Sequence, residues 1–545
     1  MKQISTFTAM ECMPPAPNLC SISAISPSMR VTSIWACYLP ATGFGLRCRA
    51  DAVSSNAHNE HNNNNNKRKK NVVVVGTGWA GLGAAHHLSK QGFDVSVLEG
   101  FWRPYQNIFS LVDELGVKPF SYRRTSALCS SEGLEVEFPI FQDLPQLPAP
   151  LGVLFYTQVL FALPTPGLPL LDRLTSLPLA AAAIDFDNTD TAWRKYDPLT
   201  ARELFKQFGC SEKLYRQAFS PMLQVSLFSP AEQCSAAAML GMLNYFILSH
   251  QSNFDVVWCR GTVREKIFKP WVERIKVNNC QFLEGKKVTD FLVNEETGCI
   301  SEVVCGKESF VADAVVLAVG ISRLQQMIRG SSALKKREEF LKVLKLAGID
   351  VLTATLWLDR KIPNAINACF GLDDLSGWAF FDLNAIYDEF KDDSGTVVEA
   401  NFYRANHLLP LEDEQIVQKV MSCLSKCQNA FKDVNVAKMK IGRYPESLTH
   451  YFPGSYEHMM RGATTFPNLF VAGDWIVNRH GSWAQEKAFV TGLEAANRVV
   501  DYLEEGSFAK IIPLEEDEPH VQSFHSFNRS FNEIRAQLPL SEFFL

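Results

Sequence analysis

The chain has 545 residues, enough for two or three domains, and its 47% hydrophobic and 21% charged residues allow a large core. A formal net charge of −6 argues against general nucleic-acid binding. The 14 cysteines form no paired CxxC units with zinc spacing, and scattered cysteines without a secretory signal point to a reducing compartment.

Residues 1–50 are rich in Ser, Thr, Ala and Pro, with Glu11 the single acid against Lys2, Arg30, Arg47 and Arg49. No compact apolar core with a small-residue cleavage site is present, so the composition fits an organelle transit peptide, and its Ser-rich, weakly basic character leans to the plastid. Residues 51–70 hold five asparagines (Asn62–Asn66) and then Lys67-Arg68-Lys69-Lys70, which reads as a disordered linker. Folding is expected to begin at about Asn71.

The stretch Asn71–Glu99 carries the strongest signal. Four valines feed Gly76-Thr77-Gly78-Trp79-Ala80-Gly81; a helix follows, then an apolar strand Val95–Leu98 ending on Glu99. Strand, glycine turn, helix, strand and acid is the order a dinucleotide-binding unit needs. Gly76 allows the tight turn, Gly78 lets a pyrophosphate approach the backbone, and Gly81 permits close helix–strand packing. The helix N-terminus favours the phosphates, and Glu99 is placed to accept hydrogen bonds from ribose hydroxyls.

Two later segments continue the same pattern. One covers residues 256–325, with Trp258-Cys259-Arg260-Gly261, a helical stretch Val263–Val277, a strand-like piece Lys286–Val293 and strands Ile300–Cys305 and Ala314–Ala318. The other covers residues 460–505, with strand Asn468–Ala472, then Gly473-Asp474 and a helix through Ala488, Leu493, Ala496 and Val500. Together with residues 71–120 they read as one discontinuous α/β nucleotide-binding domain. Residues 121–255 and 326–459 mix helices with strands such as Val351–Leu358 and Thr396–Tyr403, which reads as an α+β substrate domain. The apolar, Pro-rich stretch 147–183 is broken too often to span a bilayer. It reads as a buried substrate wall or as a surface that dips into a membrane. Cys423 and Cys427 share one face of an expected helix and read as ordinary thiols. Residues 506–545 form a tail without assigned chemistry.

In this order and spacing the motifs resemble those of the FAD-dependent amine oxidase superfamily, and within it the plant and cyanobacterial phytoene/carotenoid desaturase-like branch. Gly76–Gly81 looks like its first glycine motif, and Trp102–Ile108 with Glu114-Leu115-Gly116-Val117 like the helix after its second. Phe470-Val471-Ala472-Gly473-Asp474-Trp475 and Gln485-Glu486-Lys487-Ala488 look like its C-terminal FAD motif. The resemblance implies a Rossmann-like FAD-binding domain and a cofactor-binding set of Gly76, Gly78, Trp79, Ala80, Gly81, Glu99, Val288, Gly473, Asp474, Glu486 and Ala488. Val288 would hold the adenine through its backbone, and Asp474 would accept hydrogen bonds from ribitol hydroxyls. Read on their own, Asp474 could instead cap its helix, and Glu486 could be a solvated helix carboxylate. One departure stands out. The superfamily continues past the ribose acid into a loop with a Gly-Gly pair and a basic residue, whereas here Glu99-Gly100 runs straight into Phe101-Trp102-Arg103. The second glycine motif is missing, Lys487 replaces a residue that is often small, and Arg103 is a weak candidate to replace the lost basic group.

Three functions follow as expectations. The first is an FAD-dependent plastid oxidoreductase that dehydrogenates a lipophilic carotenoid or isoprenoid by hydride transfer to flavin, with a quinone as the acceptor the resemblance suggests. The second is an amine oxidase with Trp475 and Trp483 as an aromatic cage, although core packing explains those residues equally well. The third is a non-catalytic homologue weakened by the missing motif. No catalytic residue is assigned: His250, His450 and His480 each read as structural or surface histidines.

Overall fold

The computed structural model describes residues 29–34, 70–76, 78–88, 100–102, 105–121, 126–130, 133–138, 140, 143–148, 169–247, 255–278, 280–283, 285–362, 368–372, 377–480 and 484–514, with short pieces within 519–530. A five-stranded parallel sheet organises the nucleotide-binding part. Its strands are β1 (Met29–Ile34), β2 (Lys70–Val75), β3 (Gln281–Leu283), β4 (Ala314–Leu317) and β5 (Leu469–Val471), in the spatial order β5-β4-β2-β1-β3. Val72–Val75 and Ala314–Leu317 are at most 1% exposed. An unbroken apolar run is what a strand covered on both faces requires.

The sheet corrects the expectation that folding begins at Asn71 and that residues 1–50 stand wholly apart. β1 pairs with β2 from Met29↔Lys70 to Ile34↔Val75, and with β3 on its other side. Val31, Thr32 and Ile34 have the β-branched shape that suits a pleated surface. The edges of β2 and β3 offer the N–H and C=O partners that such a strand needs. The expected strand Val95–Leu98, together with Glu99, lies outside the described residues.

Two helices cover one face of the sheet. Helix α1 (Trp79–Leu88) is buried almost all round, as a helix apolar on every side must be. Helix α3 (Ala484–Leu503) lies against it, while α2 (Gln106–Leu115) packs beside both. The α1–α3 approach is closed by Gly492. A Cβ there would lie 2.1 Å from the Ala80 carbonyl oxygen and 3.0 Å from the Ala84 nitrogen.

Strands Asp290–Val293, Ile300–Cys305 and Glu308–Val311 form a small antiparallel sheet packed on the same core as the parallel one, and most of the remaining residues build the other half. The strands run in the order 436–450, 347–358, 397–403, 377–382, 368–372, 126–130 and 133–138 in one seven-stranded sheet, so both insertions contribute to it. Helices between Leu170 and Ile247 form a separate apolar cluster that includes Tyr451. The helix Asp413–Cys427 buries Cys423 and Cys427 on one face, as ordinary core thiols. No helix among the described residues is long and apolar enough to cross a membrane.

The Gly492 contact gives a direct check. Gly492→Ala forces backbone apart at the α1–α3 seam and is expected to cost about 3 kcal/mol or more, read as a fall in the urea midpoint.

Candidate functional site

The order of the parallel sheet reverses between β2 and β4, and ligands of such sheets bind in the crevice at the carboxyl ends of the strands there. Gly76 closes the floor of that crevice. Its φ is 110°, and a Cβ would lie 2.0 Å from the Ala318 carbonyl oxygen. Gly78 is the opposite case: it is exposed, and a Cβ would meet nothing within 4 Å. Gly81 packs onto Gly76, where a Cβ would lie 2.3 Å from the carbonyl oxygen. Ala80 faces the Gly492 seam. The Trp79 ring turns inward, 5.0 Å from Phe268 and 5.9 Å from Trp271, so its side chain serves the core.

On the other side of the crevice, Gly473 follows β5 and donates its N–H to Thr491 Oγ1 at 3.0 Å. Asp474 is held from the second domain: the Thr449 hydroxyl donates to its Oδ2 at 2.6 Å, and the Tyr451 hydroxyl donates to its carbonyl at 3.0 Å. Burial pushes the Asp474 carboxyl above the usual range, with the Thr449 bond and Lys487 acting against it. The helix-cap alternative for Asp474 fails, because α3 begins only at Ala484.

Glu486 is 2% exposed, so it is not a solvated helix carboxylate. Its Oε1 accepts from Asn107 N at 2.9 Å and Asn107 Nδ2 at 2.8 Å, and Oε2 accepts from Ile108 N at 3.1 Å. It therefore satisfies the first amides of α2. Burial lifts its carboxyl to about 7 against those three donors. Ala488 packs between α1 and the core beneath it. Val288 follows the end of β3 outside any strand, with its side chain in the core. Lys487 is 2% exposed; its Nζ lies 3.5 Å from the Tyr451 hydroxyl, and burial brings it down to about 8.

A small cleft opens beside Asp474, lined by Ser226, Leu227, Phe228, Leu448, Thr449 and Tyr451. Phe228 holds a φ of 58° there, a strained backbone for an aromatic residue. Trp475 does not face this cleft. It is 0% exposed and donates to the Val319 carbonyl at 3.0 Å, which removes it from an aromatic cage. Trp483, Arg103 and His250 lie outside the described residues. His450 bonds to the Gln233 carbonyl at 3.0 Å, and His480 folds onto Asn478 and is pushed down to about 4 by burial. Both histidines are accounted for structurally. Thr449 and Tyr451 escaped the sequence reading because nothing local marks the end of a strand in another sheet.

The residues present fit one end of a dinucleotide better than its cover. Gly78 leaves the space a diphosphate would need, and Gln485 Oε1, at the start of α3, is buried without a partner. However, Gly100 already opens a strand, Gly100–Trp102, paired with Val256–Trp258. Among the described residues, no glycine loop stands between residue 99 and this strand to cover a diphosphate.

The Glu486 anchor yields a pH signature. Its folded-state carboxyl holds a proton to about 7, against 4.5 when solvated, so the folded state binds more protons between those values and stability falls as pH rises through them. Wild-type stability relative to Glu486→Gln is expected to decline from pH 4.5 to 7 and then level off. Glu486→Ala, which leaves three donors unmet, is expected to cost about 3 kcal/mol. Denaturant titrations at stepped pH read both.

Comparison with known proteins agrees with this geometry. A family model described as flavin containing amine oxidoreductase matches residues 101–500, and one described as an NAD(P)-binding Rossmann-like domain matches residues 74–120. The chain is 22% identical over 468 residues to 15-cis-phytoene desaturase of Synechococcus elongatus, covering 79% of this chain and 95% of that protein. It is also 22% identical over 465 residues to the chloroplastic/chromoplastic 15-cis-phytoene desaturase of Capsicum annuum, covering 79% and 78%. In fold it is similar to cyclohexylamine oxidase from Brevibacterium oxydans, with TM-score 0.56 and 12% identity over 80% of this chain and 99% of that one. A putrescine oxidase triple mutant gives TM-score 0.58 and 13% identity over 79% and 99%. The chain belongs to the flavin containing amine oxidoreductase family, on its carotenoid desaturase-like branch, and is an FAD-dependent oxidoreductase.

Proposed function

We propose that the protein dehydrogenates a lipophilic, carotenoid- or isoprenoid-like substrate in the plastid. The observation that carries this reading is the cleft at Asp474, whose wall is mainly Leu227, Phe228 and Leu448. Apolar groups of a substrate gain from burial there. FAD, when bound, takes up the hydrogen removed as a C–C bond becomes C=C. The protein's own part is to seat the cofactor and keep water out. Gly76, Gly78 and Gly81 would shape the diphosphate end, with Glu99 and Val288 at the adenosine end. Gly473, Asp474 and Ala488 would border the ribityl side, while Glu486 braces α2. The cyanobacterial and plant relatives named as phytoene desaturases support the substrate class and the plastid setting, and a quinone is the acceptor we propose.

Delivery from a bilayer fits the surface. Leu171, Leu174 and Leu177 are 77%, 47% and 59% exposed, with Leu147 at 36%. Exposed apolar side chains of this kind mark a contact surface, and we assign to them a peripheral membrane contact within 147–183, of which residues 149–168 lie outside the described residues. A second reading, a flavoprotein without turnover, is favoured by the strand that begins at Gly100.

The visible spectrum of the purified full chain separates these readings. Bound flavin is expected to bleach anaerobically on addition of vesicles carrying an apolar polyene, and to stay oxidised with primary amines. Bleaching by amines alone contradicts the proposal, and a folded, colourless protein supports the inactive form. Replacing Leu171, Leu174 and Leu177 together by Glu is expected to cut vesicle co-sedimentation at least about tenfold with the melting temperature unchanged.

A further inference from the structure

Residues 507–512 form no strand or helix, yet they are bonded to α1, α2 and α3 in turn. The chain leaves α3 at Leu503, where Glu504 and Gly506 hold left-handed φ values of 52° and 97°, and it then runs back along the helix. His87 on α1 donates from Nε2 to the Ser507 carbonyl at 2.6 Å. Asn497 on α3 takes Ala509 at both ends: its Oδ1 accepts from the Ala509 amide at 2.5 Å, and its Nδ2 donates to the Ala509 carbonyl at 3.2 Å. Asn107 on α2 repeats this grip on Ile512, at 2.8 Å and 2.9 Å. Ala509 and Ile511 pack on the core beneath α1 and α2, while Phe508 is 63% exposed and Lys510 also faces outwards.

Asn107 links this segment to the Glu486 anchor. Its Nδ2 donates to Glu486 Oε1 at 2.8 Å as well as to Ile512, and its backbone amide goes to the same Oε1. A primary amide carries two N–H donors and one carbonyl acceptor, so Ile512 fixes which way this amide faces. The tail therefore orients the group that meets Glu486. Helix α2 is also the first helix after the strand Gly100–Trp102, and no glycine loop among the described residues stands before that strand. The seat of its first turn rests on Glu486 and on what holds Asn107. Glu486 stands on the first turn of α3 beside Gln485, whose Oε1 is buried without a partner.

We propose that residues 507–512 are a releasable strap, which when docked holds the first turn of α2 on α3 and slows the release of FAD. The proposal rests on the assignment of FAD to the crevice and is independent of the substrate. Side-chain amides and a few half-buried contacts hold the strap, and a segment held in this way opens locally while the core stays closed. Opening removes the Ile512 bonds and lets the Asn107 amide turn. Glu486 then grips α2 less firmly, and the wall at the start of α3 loosens. Loosening that wall quickens release.

The test compares full chains of wild type, Ile511→Asp, Asn497→Leu and Ile511→Val by hydrogen–deuterium exchange and by the rate of FAD release. Ile511→Asp sets a charge against the core, and Asn497→Leu removes both bonds to Ala509 with a residue that favours the helix. Neither replaces a group that bonds Glu486. In both, exchange at the Asn107 and Ile108 amides of the FAD-free chain is expected to quicken at least about tenfold, with β4 unchanged. FAD release from the loaded chain is expected to quicken at least about tenfold as well. Ile511→Val, which keeps the apolar contact, is expected to match wild type. A synthetic peptide of residues 505–514 is expected to restore slow exchange and slow release to Ile511→Asp, which general damage to the core would not allow. Faster exchange at Ala509 and Ile512 with Asn107 and Ile108 unmoved overturns the proposal, as does equal loosening of β4. A folded wild type that takes up no FAD removes the crevice assignment as well, whereas a loaded wild type that releases FAD as fast as Ile511→Asp removes this proposal alone.

Discussion

The architecture depends on backbone meeting backbone where no side chain stands between. Gly76 lets β2 turn under the Ala318 carbonyl, and Gly492 lets α3 press onto α1 at Ala80. These contacts join segments that are far apart in sequence: the first glycine turn, the strand ending near residue 318 and the C-terminal helix. Because interiors are close-packed and yield little, a methyl group at either point would shift whole elements. The crevice at the carboxyl edge is the geometric result of these contacts, with Gly78 left facing open space.

Around this seam the protein buries charge. Glu486 spends its carboxylate on the first amides of α2, which fixes that helix against α3. Asp474 is gripped by Thr449 at the end of the far sheet and by Tyr451 just beyond it, so the two halves of the molecule meet at this strand end. Lys487 balances the carboxylates of Asp474 and Glu494. Desolvation alone would push each of these groups towards neutrality. The surrounding donors and counter-charges act against that push without reversing it.

Much of the sheet could be read in advance. The four valines, the glycine turn and the apolar strands at 314–318 and 468–472 announce themselves through local pattern, and the structure places strands there, while the equally legible strand Ile300–Cys305 joins a separate three-stranded sheet. Contacts made by tertiary approach left no such trace. Nothing in the sequence near Thr449 or Tyr451 says that they will meet Asp474. Glu486 looked as much like a surface carboxylate as a buried one, because a helix period does not say which neighbour covers a face. Trp475 offered an aromatic ring near a flavin motif, and the core took it instead. Strand β1 was missed for another reason: MRVTSI lies inside a segment whose overall composition reads as a leader, and six residues of β-propensity do not outweigh fifty of bias. The missing second glycine motif, by contrast, was plain in the sequence, where Glu99-Gly100 runs straight into Phe101-Trp102-Arg103.

Family membership, the cofactor crevice and the apolar cleft meet at Asp474, and the central claim is that FAD lies along the edge from Gly78 to that residue. Hydrogen–deuterium exchange of the full chain with and without FAD tests it most directly. The account predicts slowed exchange of backbone amides at Gly78–Leu82, Gly473–Ile476 and Ala484–Ala488, with the seven-stranded sheet little changed. Protection confined to other segments, or no protection at a saturating concentration of FAD, would contradict it.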